Sequence, residues 1–352
     1  MGGVFSLLFT KLTLPPASVV QGRTVLITGA NTGLGREAAR HAARLGAGTI
    51  ILGVRSETKG GEAKKEIEAS TGCSGKTELL VWSVDLGSFT SVREFAARAR
   101  QYVTEEGGRI DVAIMNAGIA SVQFARTGDG WERGLQVNAL ATAQLALHLM
   151  PLLLLQSASA DRPSSDNSNQ PHLVFVTSDS HMTVKFPERH DDNILGRLND
   201  EEAWKASQAA GGPIERYAVT KLIVMLFADE LARRTPRYDN GDDGAEGGRP
   251  RVVVNSVAPG FCKSDLLTRE ETPWVLRLIQ ALIARTAEEG SKTLLHGAAQ
   301  GPKSHGKYLD HQAIAEPGKL VTDSESAALK ERLWGEITAV LKDVDPDVPT
   351  EF

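Results

Sequence analysis

Val25-Leu26-Ile27-Thr28 runs directly into Gly29-Ala30-Asn31-Thr32-Gly33-Leu34-Gly35, and an Ala-rich helical pattern follows. This order of β-branched run, glycine-rich turn and helix start constrains the chain more than any other stretch. A short apolar strand that feeds a helix in this way fits a parallel sheet buried on both faces. Glycines permit the positive φ angles of the turn and let the backbone approach a phosphate. The free N–H groups and the dipole at the helix start favour an anion. Gly29, Asn31, Thr32, Gly33, Leu34 and Gly35 are therefore candidate dinucleotide ligands, although any tight βα turn can use glycine.

The alternation repeats along the chain. Strands are expected at residues 24–28, 49–54, 78–84, 110–115, 172–177 and 251–257. Helices are expected at 33–46, 57–70, 88–104, 130–155 with a kink near Pro151, and 213–234. The pattern implies an α/β fold, a doubly wound parallel sheet with helices on both faces. Polar segments at 157–170 and 238–248 read as surface loops. After residue 260 the pattern changes to an apolar helical stretch at 266–286 containing Trp274, a helix at 288–300, a short strand at 307–309 and an amphipathic helix at 324–341. These pieces are too few for a second core. One domain over 22–352 is expected, after an N-terminal arm at 1–21.

Composition limits the function. Apolar residues make up 41% of the 352, enough for a sizeable core. A net charge of −5 argues against nucleic-acid binding by broad charge attraction. Two cysteines, Cys73 and Cys262, build neither a disulfide framework nor a Cys-rich zinc site, and suit a reducing, cytoplasmic setting. The N-terminal apolar stretch is broken at Thr10 and Lys11, so it is too short to span a bilayer. It has no basic region ahead of it, unlike a signal peptide. Met1 to Ser6 matches an N-myristoylation pattern, but no polybasic patch follows to make peripheral anchoring firm.

The strand ends carry polar groups suited to a cofactor. Arg55 follows the second strand, where an acidic residue would hold ribose hydroxyls; a cation there suits a 2′-phosphate and NADP(H). Arg36 is a weaker second candidate. Asp85, with Leu86, closes the third strand, where a carboxylate could meet an adenine amino group. Asn116, Ala117 and Gly118 close the fourth, with small residues that allow close passage of the cofactor.

Tyr217 and Lys221 sit four residues apart, on one helical face. A phenol with a pKa near 10 is a poor acid–base catalyst at neutral pH, and a nearby cation lowers that value. Ser178, at the end of the fifth strand, could hold a carbonyl oxygen, and Ser180 lies on the same side by strand alternation. Asn138, a polar amide in an apolar helix, could bond a backbone carbonyl or a water. His181, Cys262 and His305 show no metal spacing and read as structural or substrate-lining.

Together these motifs resemble the short-chain dehydrogenase/reductase superfamily over roughly residues 22–265. Thr28 to Gly35 is similar to its TGxxxGxG element, and Asn116 to Gly118 to its NAG element, with Met115 in place of the more usual first Asn. Asn138, Ser178, Tyr217 and Lys221 match its catalytic tetrad, and Pro259-Gly260 its PG turn. Ala30 to Gly35, Val54-Arg55-Ser56, Phe186 to Arg189 and Ser304 to Tyr308 further resemble fungal retinol-dehydrogenase-like reductases of secondary metabolism. The resemblance implies a Rossmann fold and NADP(H)-dependent oxidoreduction of a ketone or alcohol on a hydrophobic small molecule. A membrane-associated retinoid- or lipid-type dehydrogenase and a non-catalytic dinucleotide sensor are the rivals.

By the same resemblance Tyr217 is the general acid and Ser178 positions the carbonyl. Lys221 lowers the Tyr217 pKa and holds the nicotinamide ribose, and Asn138 holds a relay water. Pro259, Gly260 and Ser264 shape the nicotinamide pocket. Ser178 and Tyr217 are 39 residues apart, longer than in compact members. Residues 182–213 therefore form an excursion that, with 261–300, is expected to cover substrate. The apolar helices at 130–155 and 213–234 could form a homodimer face, or be covered by residues after 260.

Overall fold

The computed structural model describes residues 11–159, 170–212, 214–238, 248–263 and 284–352. Six parallel strands form its centre: β1 (Thr24–Thr28), β2 (Thr49–Val54), β3 (Glu78–Ser83), β4 (Val112–Met115), β5 (His172–Val176) and β6 (Val253–Ala258). A seventh parallel strand, β7 (Tyr308–Asp310), and an antiparallel edge strand, β8 (Ala313–Ala315), complete the order β3-β2-β1-β4-β5-β6-β7-β8. Winding reverses between β1 and β4, and the cleft at the carboxyl ends of those two strands is where such sheets bind ligands. Every residue of β1, β4, β5 and β6 is buried, as expected for strands covered on both faces.

Helices α1 (Gly33–Arg44) and α2 (Glu57–Thr71) follow β1 and β2, and α3 (Phe89–Thr104) follows β3. Ser88 caps α3, its Oγ accepting from the Ser91 N–H at 3.3 Å. After β4 comes a helical turn at Arg133–Leu135, a π-helical segment at Gln136–Leu140 and α4 (Ala141–Ser159), which carries Pro151. This run is apolar and long enough to cross a bilayer, but 83% of its most apolar window is buried inside the protein. It is a core helix.

The long insertion between β5 and the next large helix is structured. It contains α5 (Ile194–Leu198) and α6 (Glu201–Gly211), and leads to α7 (Glu215–Arg234). Glu188 and Arg216, both 5% exposed, form an ion pair at 2.6 Å that ties the insertion to the start of α7. The chain finishes with α8 (Ala287–Ala299), the single turn α9 (Lys319–Thr322) and α10 (Ser326–Val344). Leu329, Leu333, Trp334, Ile337 and Leu341 of α10 join the same apolar cluster as α7 and α4. Cover by the chain's own tail, one of the two fates expected for those helices, is seen here. The acylation pattern and most of the stretch at 266–286, Trp274 included, lie outside the described residues.

Candidate active site

The glycine turn adopts the geometry its sequence requires. Gly29 and Gly33 take φ of +69° and +56°, in the left-handed region where a side chain is strained. A Cβ on Gly35 would lie 2.4 Å from the Gly29 carbonyl oxygen, so helix and turn close on each other only with glycine there. The first turn of α1 carries no acidic side chain, which leaves its N-terminal field open to an anion. Thr28 Oγ accepts from the Asn116 and Ala117 N–H groups at 3.0 Å each, and the Asn116 side chain donates to the Thr28 carbonyl at 2.8 Å. The two strand ends at the switch point are thus cross-linked.

Gly29 N–H donates to the Gly53 carbonyl at 2.8 Å, so the end of β2 lies beside the turn, and Arg55 follows two residues on. Arg55 is exposed and makes no ion pair among the described residues. Arg36, the weaker candidate, is engaged with Glu66 at 2.6 Å. Asp85 uses Oδ1 to accept from the Gly87 N–H at 2.8 Å, and Leu86 is buried behind it. Gly260 follows Pro259 with φ of +73°. Ser264 lies outside the described residues. The turn, the open helix start and the unpaired Arg55 fit a phosphorylated dinucleotide.

All four tetrad candidates converge. Asn138 sits in the π-helical segment, a wide turn that often marks functional sites. Its Oδ1 accepts from Ile119 N–H and its Nδ2 donates to Ile119 O, both at 2.8 Å. Nδ2 also donates to Thr220 Oγ at 2.9 Å, which fixes Asn138 against α7. A Cβ added to Gly118 would lie 3.2 Å from Asn138 Oδ1 and 3.3 Å from Lys221 Nζ, so both side chains close on that glycine. Lys221 is buried, donates to the Val176 carbonyl at 2.7 Å, and lies 5.9 Å from the centre of the Tyr217 ring. Burial lowers it to about 8.

The Ser178 side chain stands close enough to the Tyr217 phenol to act on its pKa, while its Oγ donates to Asp179 Oδ1 at 3.2 Å. Ser180 Oγ is buried with no partner among the described residues, and Ser178 is the serine that acts on the phenol. The groups that act on the Tyr217 phenol do not include Lys221, whose ammonium is turned to the Val176 carbonyl. Burial pushes the phenol above its ordinary value, the Ser178 side chain opposes this, and Asp179 and Cys262 add to the rise. The fixed neighbours of Asn138 were not legible in sequence, because the π turn leaves no compositional mark.

The remaining candidates, Cys262, His305 and His181, bond mainly to backbone. Cys262 is buried and donates to the Pro259 carbonyl at 3.3 Å, with its thiol pushed up to about 12 by burial. His305 accepts from Val254 N–H at 3.2 Å and donates to Ala232 O at 2.9 Å. His181 bonds backbone on both sides of its ring.

The family described as short chain dehydrogenase matches residues 23–176. A short chain dehydrogenase/reductase of Cryptosporiopsis sp. is 35% identical over 358 residues, covering 100% of both chains. The short chain dehydrogenase atnD of Emericella nidulans is 41% identical over 310 residues, covering 87% of this chain and 88% of its own. Among solved structures, an uncharacterized protein from Mycobacterium paratuberculosis is similar at a TM-score of 0.62 and 24% identity, over 94% of this chain and 98% of that one. A short-chain dehydrogenase from Sphingobium yanoikuyae in complex with NADPH reaches a TM-score of 0.54 at 18% identity, covering 92% and 97% of the two chains. With relatives of this identity matching along almost its whole length, the chain belongs to the short-chain dehydrogenase/reductase family of oxidoreductases.

Proposed function

We propose that this protein is an NADP(H)-dependent oxidoreductase that interconverts a ketone and an alcohol on a hydrophobic small molecule. The observation that carries the reading is Ser178 set beside Tyr217 with buried Lys221 one helical turn on. Bound at the glycine turn, a nicotinamide cofactor supplies or takes up the hydride. Gly29, Asn31, Thr32, Gly33, Leu34 and Gly35 would hold its pyrophosphate, and Arg55 its 2′-phosphate. Asp85, Leu86, Asn116, Ala117, Gly118, Pro259, Gly260 and Ser264 would line the rest.

Ser178 orients the carbonyl oxygen, and Tyr217 donates a proton to it as negative charge grows there. Lys221 stabilises the phenolate left behind, and Asn138 fixes α7 beneath it. We further propose one domain over 22–352 after an arm at 1–21, with 182–213 and 261–300 covering substrate. A cytoplasmic setting belongs to this reading; among the described residues the one bilayer-length helix is used in the core.

The test is a panel of hydrophobic ketones and alcohols with NADPH or NADP⁺, read by absorbance of the reduced nicotinamide. Turnover that requires both cofactor and Tyr217 supports the reading. Cofactor binding without turnover on any member would favour the sensor.

A further inference from the structure

His181 is the polar residue of this region that the proposed chemistry does not use, and its surroundings are unusually determined. It is 1% exposed. Its Nδ1 lies 2.6 Å from the Ser178 carbonyl oxygen, which can only accept, so Nδ1 carries the hydrogen. Its Nε2 accepts from the Gly318 N–H at 2.9 Å, so Nε2 carries none. Two backbone partners thus fix one neutral tautomer. Burial, which lowers the imidazole pKa, acts in the same direction. The ring also meets Tyr308 edge-on, with centroids 5.0 Å apart.

Gly318 is fitted to this contact. A Cβ there would lie 3.0 Å from Met182 Cα and 3.2 Å from both His181 Cδ2 and the His181 carbonyl oxygen. Gly318 opens the turn α9, far along the sequence from Ser178 and beyond the parallel sheet. Ser178 itself is extended, with φ of −154°, and begins the 3-10 turn Asp179–Met182. Its Oγ accepts from Ser180 N–H at 3.2 Å. The turn therefore aims the hydroxyl, and His181 anchors the carbonyl of the same residue to the C-terminal segment.

We propose that His181 is a positioning residue for Ser178, and that it transmits the placement of the C-terminal segment, through Gly318, to the carbonyl-orienting hydroxyl. This rests on the role of Ser178 proposed above. Small misplacements of such a group are costly, because a shift of about 1 Å can cost about a hundredfold in rate. The same linkage makes Gly318 a determinant of turnover, although it touches neither Ser178 nor Tyr217 among the described contacts.

The experiment compares His181→Phe, His181→Asn and Gly318→Ala with the parent, each with and without Ser178→Ala, on a ketone that the parent reduces. His181→Phe keeps an aromatic edge toward Tyr308 and loses both polar bonds. It should lower kcat about ten- to a hundredfold, with NADPH affinity within twofold. His181→Asn keeps a donor near the Nδ1 position and should recover most of that loss. Gly318→Ala should lower kcat in the same sense. In the Ser178→Ala background neither His181→Phe nor Gly318→Ala should cost anything more, since the group they position is gone.

Full additivity with Ser178→Ala, or native kcat in both His181→Phe and Gly318→Ala, would overturn the proposal. If His181→Phe does not fold, the Gly318→Ala cycle with Ser178→Ala decides alone. A separate result marks failure of the functional reading itself. Ser178→Ala alone would then leave turnover intact, whereas its loss together with a neutral His181→Phe would sink only the present inference.

Discussion

Lys221 Nζ donates to the Val176 carbonyl oxygen at 2.7 Å, two residues ahead of Ser178. The bond ties the cation of α7 to the strand that delivers the serine. Burial sets its pKa at about 8, below its ordinary 10.5. Between those values the unfolded chain binds more protons than the folded one, so stability from this group rises with pH through that window. The penalty is complete below about pH 8 and absent above 10.5. In catalysis the sign is opposite, because the charged form is the useful one. We expect kcat/KM for ketone reduction to fall above about pH 8, and Lys221→Arg, which stays charged, to move that limb upward. A limb unmoved by Lys221→Arg belongs to another group.

Arg55 should select the cofactor. It is exposed, makes no ion pair among the described residues and follows the strand beside the glycine turn, whereas Arg36 is occupied by Glu66. A charge-assisted bond to a 2′-phosphate is worth about 1.5–3 kcal/mol, or roughly ten- to a hundredfold. Arg55→Asp should turn the preference toward NADH, measured as the ratio of kcat/KM for the two cofactors. An unchanged ratio removes Arg55 as the selector.

The C-terminal tail is locked to the core by a buried polar cluster. Asp345 Oδ2 accepts from Gln144 Nε2 at 2.8 Å and lies 2.7 Å from His148 Nε2. Burial alone would raise the Asp345 pKa, but the hydrogen bonds from His148 and Gln144 outweigh it and leave it below the ordinary carboxylate value. Its contribution is therefore present above the unfolded pKa and lost as pH falls through the folded one. Asp345→Ala should cost about 3–5 kcal/mol, the usual effect of breaking a buried pair, in urea melts at neutral pH. A loss below about 1 kcal/mol would show that the cluster adds little.

Trp334 should matter through packing. Its ring stacks on Phe227 with centroids 5.3 Å apart and planes 11° from parallel, and the Arg234 guanidinium lies 4.5 Å from its centroid. Trp334→Ala should cost about 3–5 kcal/mol of stability. NADPH affinity, read by titration, should hardly change, because α10 covers α7 away from the glycine turn. A selective loss of cofactor binding with native stability would contradict this placement.

The central strands were legible because β-branched runs between turn residues permit little else, and their order followed from the repeated βα alternation. Boundaries slipped where capping decides them. Ser88 reads as the start of a helix but stands outside it as the cap of α3. β8 went unseen because three residues against β7 carry no pattern of their own. The insertion is legible in sequence only as an excursion, and its helices α5 and α6 are not, since the Glu188–Arg216 pair that seats it joins residues 28 apart. Among site residues, Tyr217, Lys221 and the glycines follow from spacing. Arg55 is preferred to Arg36 from its place after the second strand, and Ser178 to Ser180 from the motif it resembles, whereas the Arg36–Glu66 pair shows only in the fold. His181 shows its meaning only once Gly318 is folded back on it.

The most direct test is single-turnover hydride transfer in Tyr217→Phe, followed by stopped flow on a ketone the parent reduces, alongside NADPH titration. The substitution removes one hydroxyl and keeps the ring, so fold and cofactor affinity should survive. Transfer should slow by about 10²–10⁴-fold, the range for a lost general acid. Near-native transfer in Tyr217→Phe, with NADPH bound as tightly as in the parent, would contradict the assignment and move the proton donor to Ser178 or water.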